Sequence, residues 1–497
     1  MRSATRSLIA PDLSLAAFAT VIVIAAAVRF VEATRVPLWF DEIYTLWIAR
    51  LGPAGIVHAL RADVHPPLHE WLVWLWWRLG GESPVWLRSL SVIFAVATVA
   101  VLYGFTRDLF GRAAALLAAL LLALHRTHVY YSQELRAYGM LWLAYLLALW
   151  AAWRFVRDGS ARWGVAYVAA ATIALYTHYQ SGMVLGVIAL WGAISLLRIP
   201  RRLGQWIGLH VAVAALFLPQ LPTFLIQMHR NQETHWITAP HFSNLVRLAQ
   251  VYAFGYRRLI LPALALAVLP LFRSGDRRAA ALLWSFMLPL MVISYVLTQQ
   301  GSHLYTERYM DFGLPAWCAL LAAGAMGLGA WFPARRGADG GASTSWISAA
   351  AGIAIAACAA RSLASHQPLE EPRELRLAAR EIEAHARPGD MVVHADTHSL
   401  LFFIQNAPAL GRQRILELVP LPYYEGTAVI ADSLVMSAND FARFRASGAR
   451  WWGVRTHHSG VGSQVALDTL RAHAASIRHL GPLVTLIEGV TDSTRVR

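Results

Sequence analysis

Asp41 and Glu42 stand side by side in the run Trp39-Phe40-Asp41-Glu42, just beyond the first long apolar segment of the chain. A carboxylate at the lip of a membrane span can take a proton from an acceptor hydroxyl or amine, or hold a divalent cation. The same pair can open a helix through Ile43 to Arg50, with Asp41 as its cap and acids favoured in the first turn. A charge at the bilayer centre costs roughly 2.5–3.5 kcal/mol, so acids near a span either have a role or face water.

Four further segments carry groups of the same kind. His65-Pro66-Pro67 sets an imidazole, able to meet a phosphate or a metal, ahead of a proline-primed helix start. The stretch from Tyr130 to Tyr138 places Tyr131, Glu134, Arg136 and Tyr138 between two apolar runs. Glu134 and Arg136 can pair with each other, or Arg136 can bind a phosphate through its planar fork. His178 lies in the turn Tyr176 to Gln180, among aromatics that also suit a membrane interface. Tyr305 to Tyr309 contributes Arg308, a second phosphate candidate or a snorkelling cation, and Tyr309.

The elements that must position these groups are membrane helices. The 497 residues are 57% hydrophobic and 14% charged, against about 25% charged in soluble domains. Apolar runs near the roughly 20 residues needed to cross a bilayer occur around 13–31, 86–106, 113–131, 138–153, 163–177, 182–197, 205–222, 259–272, 279–298, 310–332 and 344–363. The chain has no lysine, and its arginines give a net charge of +14. Arg2 and Arg6, Arg107 and Arg112, Arg154 to Arg162, Arg198 to Arg202, Arg273 to Arg278, and Arg335 and Arg336 occupy alternate loops. With about eleven spans all of them face the cytoplasm, which explains the charge without a nucleic-acid partner. This assignment requires the Trp-rich segment Leu68 to Arg78 to lie as a helix on the outer surface; counting it as a span would invert every later loop. The N-terminal run reads as a retained signal anchor, because Arg29-Phe30-Val31-Glu32 lacks a small-residue cleavage pattern.

The five polar segments then share the extracytoplasmic side with the C-terminal segment. Residues 1–366 form the membrane domain, whose outer loop 32–85 carries the acid pair, and residues 367–497 a small extracytoplasmic α/β domain. A charged helix from Glu374 to Ala386 precedes the strand Met391 to His394, and further strands follow at Trp451 to Val454 and Val484 to Ile487. Gly337 to Ser345 is a short Gly/Ser/Ala-rich loop, and Cys318 and Cys358 fall in apolar runs and imply no disulfide framework.

Trp39 to Glu42, His65-Pro66-Pro67-Leu68, Arg88, Ser132 to Tyr138 and Glu307-Arg308-Tyr309 together resemble the GT-C superfamily of polytopic glycosyltransferases. The likeness covers about the first 315 residues. It is greatest to the branch holding protein O-mannosyltransferases, lipid A aminoarabinose transferases and rhizobial lipopolysaccharide-core sugar transferases. The resemblance implies a polytopic all-α membrane enzyme that uses a polyprenyl-phosphate sugar on the extracytoplasmic side, with inversion. Asp41 takes the place of the general base, with Glu42 beside it, and Glu134 that of a second loop acid. His65 stands where some relatives have a lysine on the phosphate, and Tyr131, Arg136, Tyr138, His178, Arg308 and Tyr309 fall to substrate and phosphate binding. No cofactor is required, although Asp41, Glu42, His65 and Glu134 could form a divalent-metal site. The acceptor is an envelope glycan, lipid or protein. A transporter or flippase of lipid-linked sugars and an oligosaccharide ligase or polymerase are the alternatives; a transporter would place its ionisable groups near the midplane and repeat its halves.

Overall fold

The computed structural model describes residues 13–33, 36–231, 239–301, 304–332, 345–365, 371–418, 430–456 and 461–489. Its helices are α1 Leu13–Ala33, α2 Phe40–Arg50, α3 Gly52–Leu60, α4 Leu68–Gly80, α5 Pro84–Phe110, α6 Arg112–Leu124, α7 Arg126–Ser132, α8 Tyr138–Asp158, α9 Ala161–Thr177 and α10 Ser181–Leu196. They continue with α11 Pro200–Phe217, α12 Leu221–Asn231, α13 Phe242–Tyr252, α14 Ile260–Val268, α15 Arg277–Gln299, α16 Leu314–Gly327 and α17 Ser345–Ala364. After α18 (Glu371–His385) come β1 Met391–His394, α19 Thr397–Asn406, β2 Arg412–Leu416, β3 Val435–Met436, α20 Ala438–Ala446, β4 Trp451–Thr456, α21 Val461–Ala472, β5 Ala474–His479 and β6 Val484–Gly489. Arg2, Arg6, Arg335, Arg336 and the loop from Gly337 to its last residue before α17 lie outside the described residues.

The chain divides into two compact units. One comprises Met1–Val31, Arg88–Pro222 and His235–His366; the other comprises Glu32–Leu87, Thr223–Thr234 and Gln367–Arg497. The outer loop clusters with the C-terminal segment. The physical reason is that α2 packs on α19, through rings and side chains that no local pattern announces.

The first unit is a bundle of apolar helices. Each apolar run of the sequence is helical over most of its described length, the run 113–131 being broken at His125. Among the described residues six helices are long and apolar enough to cross a membrane, and eight if each bent pair, α6 with α7 at 59° and α13 with the stretch to Phe272 at 79°, forms one span. Leu15–Val31 and Ser181–Leu196 are apolar but shorter. The helix through Glu307–Trp331 is 89% buried and forms the centre of the bundle, while Pro200–His229 is 11% buried and presents Ile207, Val211 and Leu216 outward, as a lipid-facing helix does. Small residues let the central helices approach closely: a Cβ on Gly324 would fall 1.9 Å from the Leu266 carbonyl oxygen. Ion pairs from Asp108 to Arg154 (2.8 Å) and Arg157 (3.0 Å) join the ends of α5 and α8.

The second unit joins the outer loop to a six-stranded sheet of order β3-β2-β1-β4-β6-β5. β1 to β4 are parallel neighbours, and β6 and β5 add an antiparallel edge. Its core includes Val393, Trp451, Leu467 and Ile487. The Trp-rich segment forms α4, which is not among the helices able to cross a membrane. Its Trp76 stacks on Trp86 at 4.5 Å, and each indole donates to the other residue's carbonyl at 2.8 Å.

Candidate active site

In the first unit the candidate residues gather around Tyr138. Tyr138, His178, Arg308 and Tyr309 line one small cavity of about 20 Å³ with Leu141, Trp142, Tyr145, Gln180 and Phe312. Each comes from a helix end, where backbone geometry releases a side chain from the bundle. Tyr138 opens α8, and His178 caps the C-terminus of α9. Arg308 and Tyr309 sit in a 3-10 turn, Glu307–Gly313, that leads into α16. That turn is fixed on two sides. The Thr298 hydroxyl accepts the N–H groups of Leu304 (3.1 Å) and Tyr305 (2.9 Å), and the Tyr252 hydroxyl donates to the Met310 carbonyl at 2.7 Å.

Aromatic contacts complete the enclosure. The His178 ring meets Tyr309 edge-on at 5.1 Å, the Arg308 guanidinium lies 5.6 Å from the Tyr309 ring, and Tyr131 packs on Tyr138 at 4.9 Å. Glu134 is buried and Arg136 half-buried in the turn between α7 and α8, which a hydrogen bond from Arg136 N–H to the Glu134 carbonyl closes at 2.8 Å. The Arg136 carbonyl accepts the Ser91 hydroxyl at 3.3 Å. Tyr138 is within electrostatic range of Arg308, Arg136, Tyr309 and Glu134. Arg308, a phenol and an imidazole at the cavity, with Arg136 within electrostatic range of the phenol, form an anion-receiving arrangement.

Two ionisable residues here escaped the sequence reading. Asp311 is buried in the 3-10 turn and electrostatically coupled to Tyr131. Arg29 is buried at the end of α1, donating to the carbonyls of Ala25 (2.7 Å), Ala123 (3.1 Å) and Leu122 (3.4 Å) and to His128 Nδ1 (2.7 Å). It thereby satisfies the carbonyls left at the break between α6 and α7. Gln133 answers by donating to the carbonyls of Val28 and Arg29. An ionisable residue inside an apolar run is a signal in its own right, and both positions carried it.

In the second unit, α2 starts one residue before the acid pair, with Trp39 as its N-cap. Glu42 is fully buried, and its carboxylate accepts the Trp39 N–H at 3.1 Å. The capping expected of Asp41 therefore falls to Glu42, at the N3 position from which a glutamate reaches back. Asp41, in the same turn, is half-buried. His65 faces Asp63, whose carboxylate lies 2.9 Å from its Nδ1 and accepts the Val64 N–H. Burial alone would raise the Asp63 carboxyl, but the charge of His65 and hydrogen bonds from His65, Val64 N–H and Tyr44 outweigh it and lower the pKa to about 2. Tyr44 lies on α2, so this network ties the His65 loop to the helix of the acid pair. Gln227 fixes the loop further by donating to the carbonyls of Leu60 (2.6 Å) and His65 (3.1 Å). Among the described residues no group of three or more His, Cys, Asp or Glu side chains is arranged to hold a metal.

The fold is that of a multi-pass membrane protein of the GT-C type. Residues 64–225 match the family described as dolichyl-phosphate-mannose-protein mannosyltransferase. The chain is similar to ArnT from Cupriavidus metallidurans in its crystal structure bound to undecaprenyl phosphate, with a TM-score of 0.60 and 15% identity over 97% of this chain and 99% of that one. The apo crystal structure of the same protein gives a TM-score of 0.61 at 15% identity, with the same coverage. No curated protein sequence matches the chain.

Proposed function

We propose that this protein is an inverting glycosyltransferase that moves a sugar from a polyprenyl-phosphate donor to an envelope acceptor on the extracytoplasmic side of the cell membrane. The observation that carries the reading is the gathering of Arg308, Tyr138 and His178 at one small cavity of the helical unit, with Arg136 within electrostatic range of Tyr138. Such a set suits a phosphate whose charge grows as it leaves. An apolar cavity of about 430 Å³ in the same unit, walled by Leu245, Leu264, Trp284, Met291 and Trp317, suits an isoprenoid tail. Tyr252 belongs to that wall and holds the turn bearing Arg308.

In this reading the acceptor oxygen attacks the anomeric carbon as its proton passes to the Asp41 carboxylate. The bond between that carbon and the phosphate oxygen breaks on the opposite face, and polyprenyl phosphate leaves with the electron pair. Glu42 holds the helix start. Support comes also from the similarity to a protein crystallised with undecaprenyl phosphate. The test is a lipid comparison of a deletion strain with its parent. Accumulation of a polyprenyl-phosphate sugar is expected; an unchanged pool of such lipids rejects the donor class.

A further inference from the structure

Phe40 immediately precedes Asp41, and its ring lies face to face with His398, with centroids 3.7 Å apart and planes 7° from parallel. Two turns on along both helices, Trp47 Nε1 donates to Gln405 Oε1 at 3.0 Å. The two pairs are separated by the same number of residues on α2 and on α19, about 10 Å along each axis, so the helices lie side by side and run in the same direction. The first rung of this ladder is in the turn that carries Asp41.

The helix behind the ladder is itself anchored. Asp396 caps α19 by accepting the Ser399 N–H at 2.8 Å. The same carboxylate accepts the Thr456 N–H at 2.7 Å and the Thr456 hydroxyl at 3.2 Å, at the end of β4. Asp396 and Thr456 are both buried. A continuous set of contacts therefore runs from the sheet through Asp396 and α19 to Phe40.

We propose that the C-terminal sheet acts as the mount for the acid-bearing helix, with His398 as a positioning residue that fixes the direction of Asp41 by stacking on Phe40. A ring contact at the first turn restrains the part of a helix that otherwise frays. The inference rests on the reading of Asp41 as the base only for its catalytic consequence; the mount is a property of the unit itself.

The experiment uses the full-length protein in detergent micelles and in the deletion strain. Hydrogen exchange at the α2 amides is measured for wild type, His398→Ala, His398→Phe and Gln405→Ala, with β1 and β4 as internal reference. Faster exchange in the first turns of α2 is expected for His398→Ala, at least fivefold, with return toward wild type for His398→Phe and unchanged sheet strands. Unchanged α2 exchange in His398→Ala, or no restoration by phenylalanine, overturns the proposal. If His398→Ala fails to fold, Gln405→Ala removes the second rung alone, and unchanged exchange there overturns it equally. Clearance of the donor lipid accumulated in the deletion strain reads the consequence: about tenfold slower for His398→Ala and near wild type for His398→Phe. Wild-type clearance by His398→Ala overturns the positioning role. Altered exchange together with full clearance by Asp41→Asn sinks the base assignment and leaves the mount standing.

Discussion

Glu42 accepts the N–H of Trp39 at 3.1 Å, so within one turn of α2 the two neighbouring acids hold different positions: one buried at the helix start, the other half-buried beside it. Their substitutions should separate accordingly. Asp41→Asn keeps the shape and removes the base, and should lower sugar transfer by roughly 10²–10⁴ while leaving the melting temperature unchanged. Glu42→Ala removes a buried cap and should cost about 1–3 kcal/mol of stability, read as a lower melting temperature of the full-length protein. Transfer within about threefold of wild type for Asp41→Asn would show that the carboxylate is not the base.

Arg308 is presented by a turn that Tyr252 pins, and the two can be tested as a pair. On the proposed donor reading, Arg308→Ala should weaken binding of a polyprenyl phosphate by roughly 10–100-fold, the range of a lost charge-assisted hydrogen bond. Arg136→Ala should act in the same direction. Tyr252→Phe removes one hydrogen bond of about 1 kcal/mol and should weaken binding by a few-fold without touching the cation. Equilibrium binding of labelled undecaprenyl phosphate measures all three, and unchanged affinity in both arginine variants removes the phosphate role.

The residues differ in how far the sequence disclosed them, and the reason is the range of the forces involved. Helices were legible because each apolar run is a local pattern of about twenty residues. β1, β4 and β6 were legible for the same reason, as short β-branched or aromatic runs between turn signals. The gathering of Tyr138, His178, Arg308 and Tyr309 followed from loop topology, since all four emerge at helix ends. The job of Glu42 was open, because a cap and a catalyst look alike in sequence. His398 was invisible: its partner Phe40 is hundreds of residues earlier, and nothing near it marks the contact. Asp311 and Arg29 were marked by charge within apolar runs and required only that the rule for intramembrane ionisable groups be applied.

Arg29 gives a prediction about folding. Its guanidinium donates to the Ala123 carbonyl and joins the His125 N–H on the Leu122 carbonyl at the break before α7, in an apolar setting. Arg29→Leu should destabilise the protein by about 2–3 kcal/mol, since it removes the guanidinium from the Ala123 carbonyl and His128 Nδ1, and buried acceptors left without donors cost about 1–3 kcal/mol each. Arg29→Lys should recover less than half of that loss, because one ammonium cannot span acceptors contributed by α1, α6 and α7. Thermal unfolding of the three proteins in the same detergent ranks them, and a lysine variant equal to wild type would remove the argument from fork geometry.

The C-terminal sheet should be acid-sensitive through His394. This residue is fully buried at the end of β1, its Nδ1 lies 3.1 Å from the Ser399 hydroxyl, and burial lowers its pKa to about 3. The folded state thus holds the neutral ring, while the unfolded chain takes up a proton below about 6.5. Between those two values the unfolded state binds more protons, so stability falls as pH falls, by up to about 1.4 kcal/mol per pH unit from this one group. Above pH 6.5 the contribution is complete and flat. Asp63 adds a separate loss only at lower pH, between about 4 and its folded value near 2, because its charged form is the one the fold stabilises. The melting temperature of the full-length protein should therefore drop from pH 7 to pH 5, above the range in which Asp63 takes up its proton. His394→Gln keeps a polar group at the site and cannot titrate, so its melting temperature should change less over that interval. An equal drop in both proteins would place the acid sensitivity elsewhere.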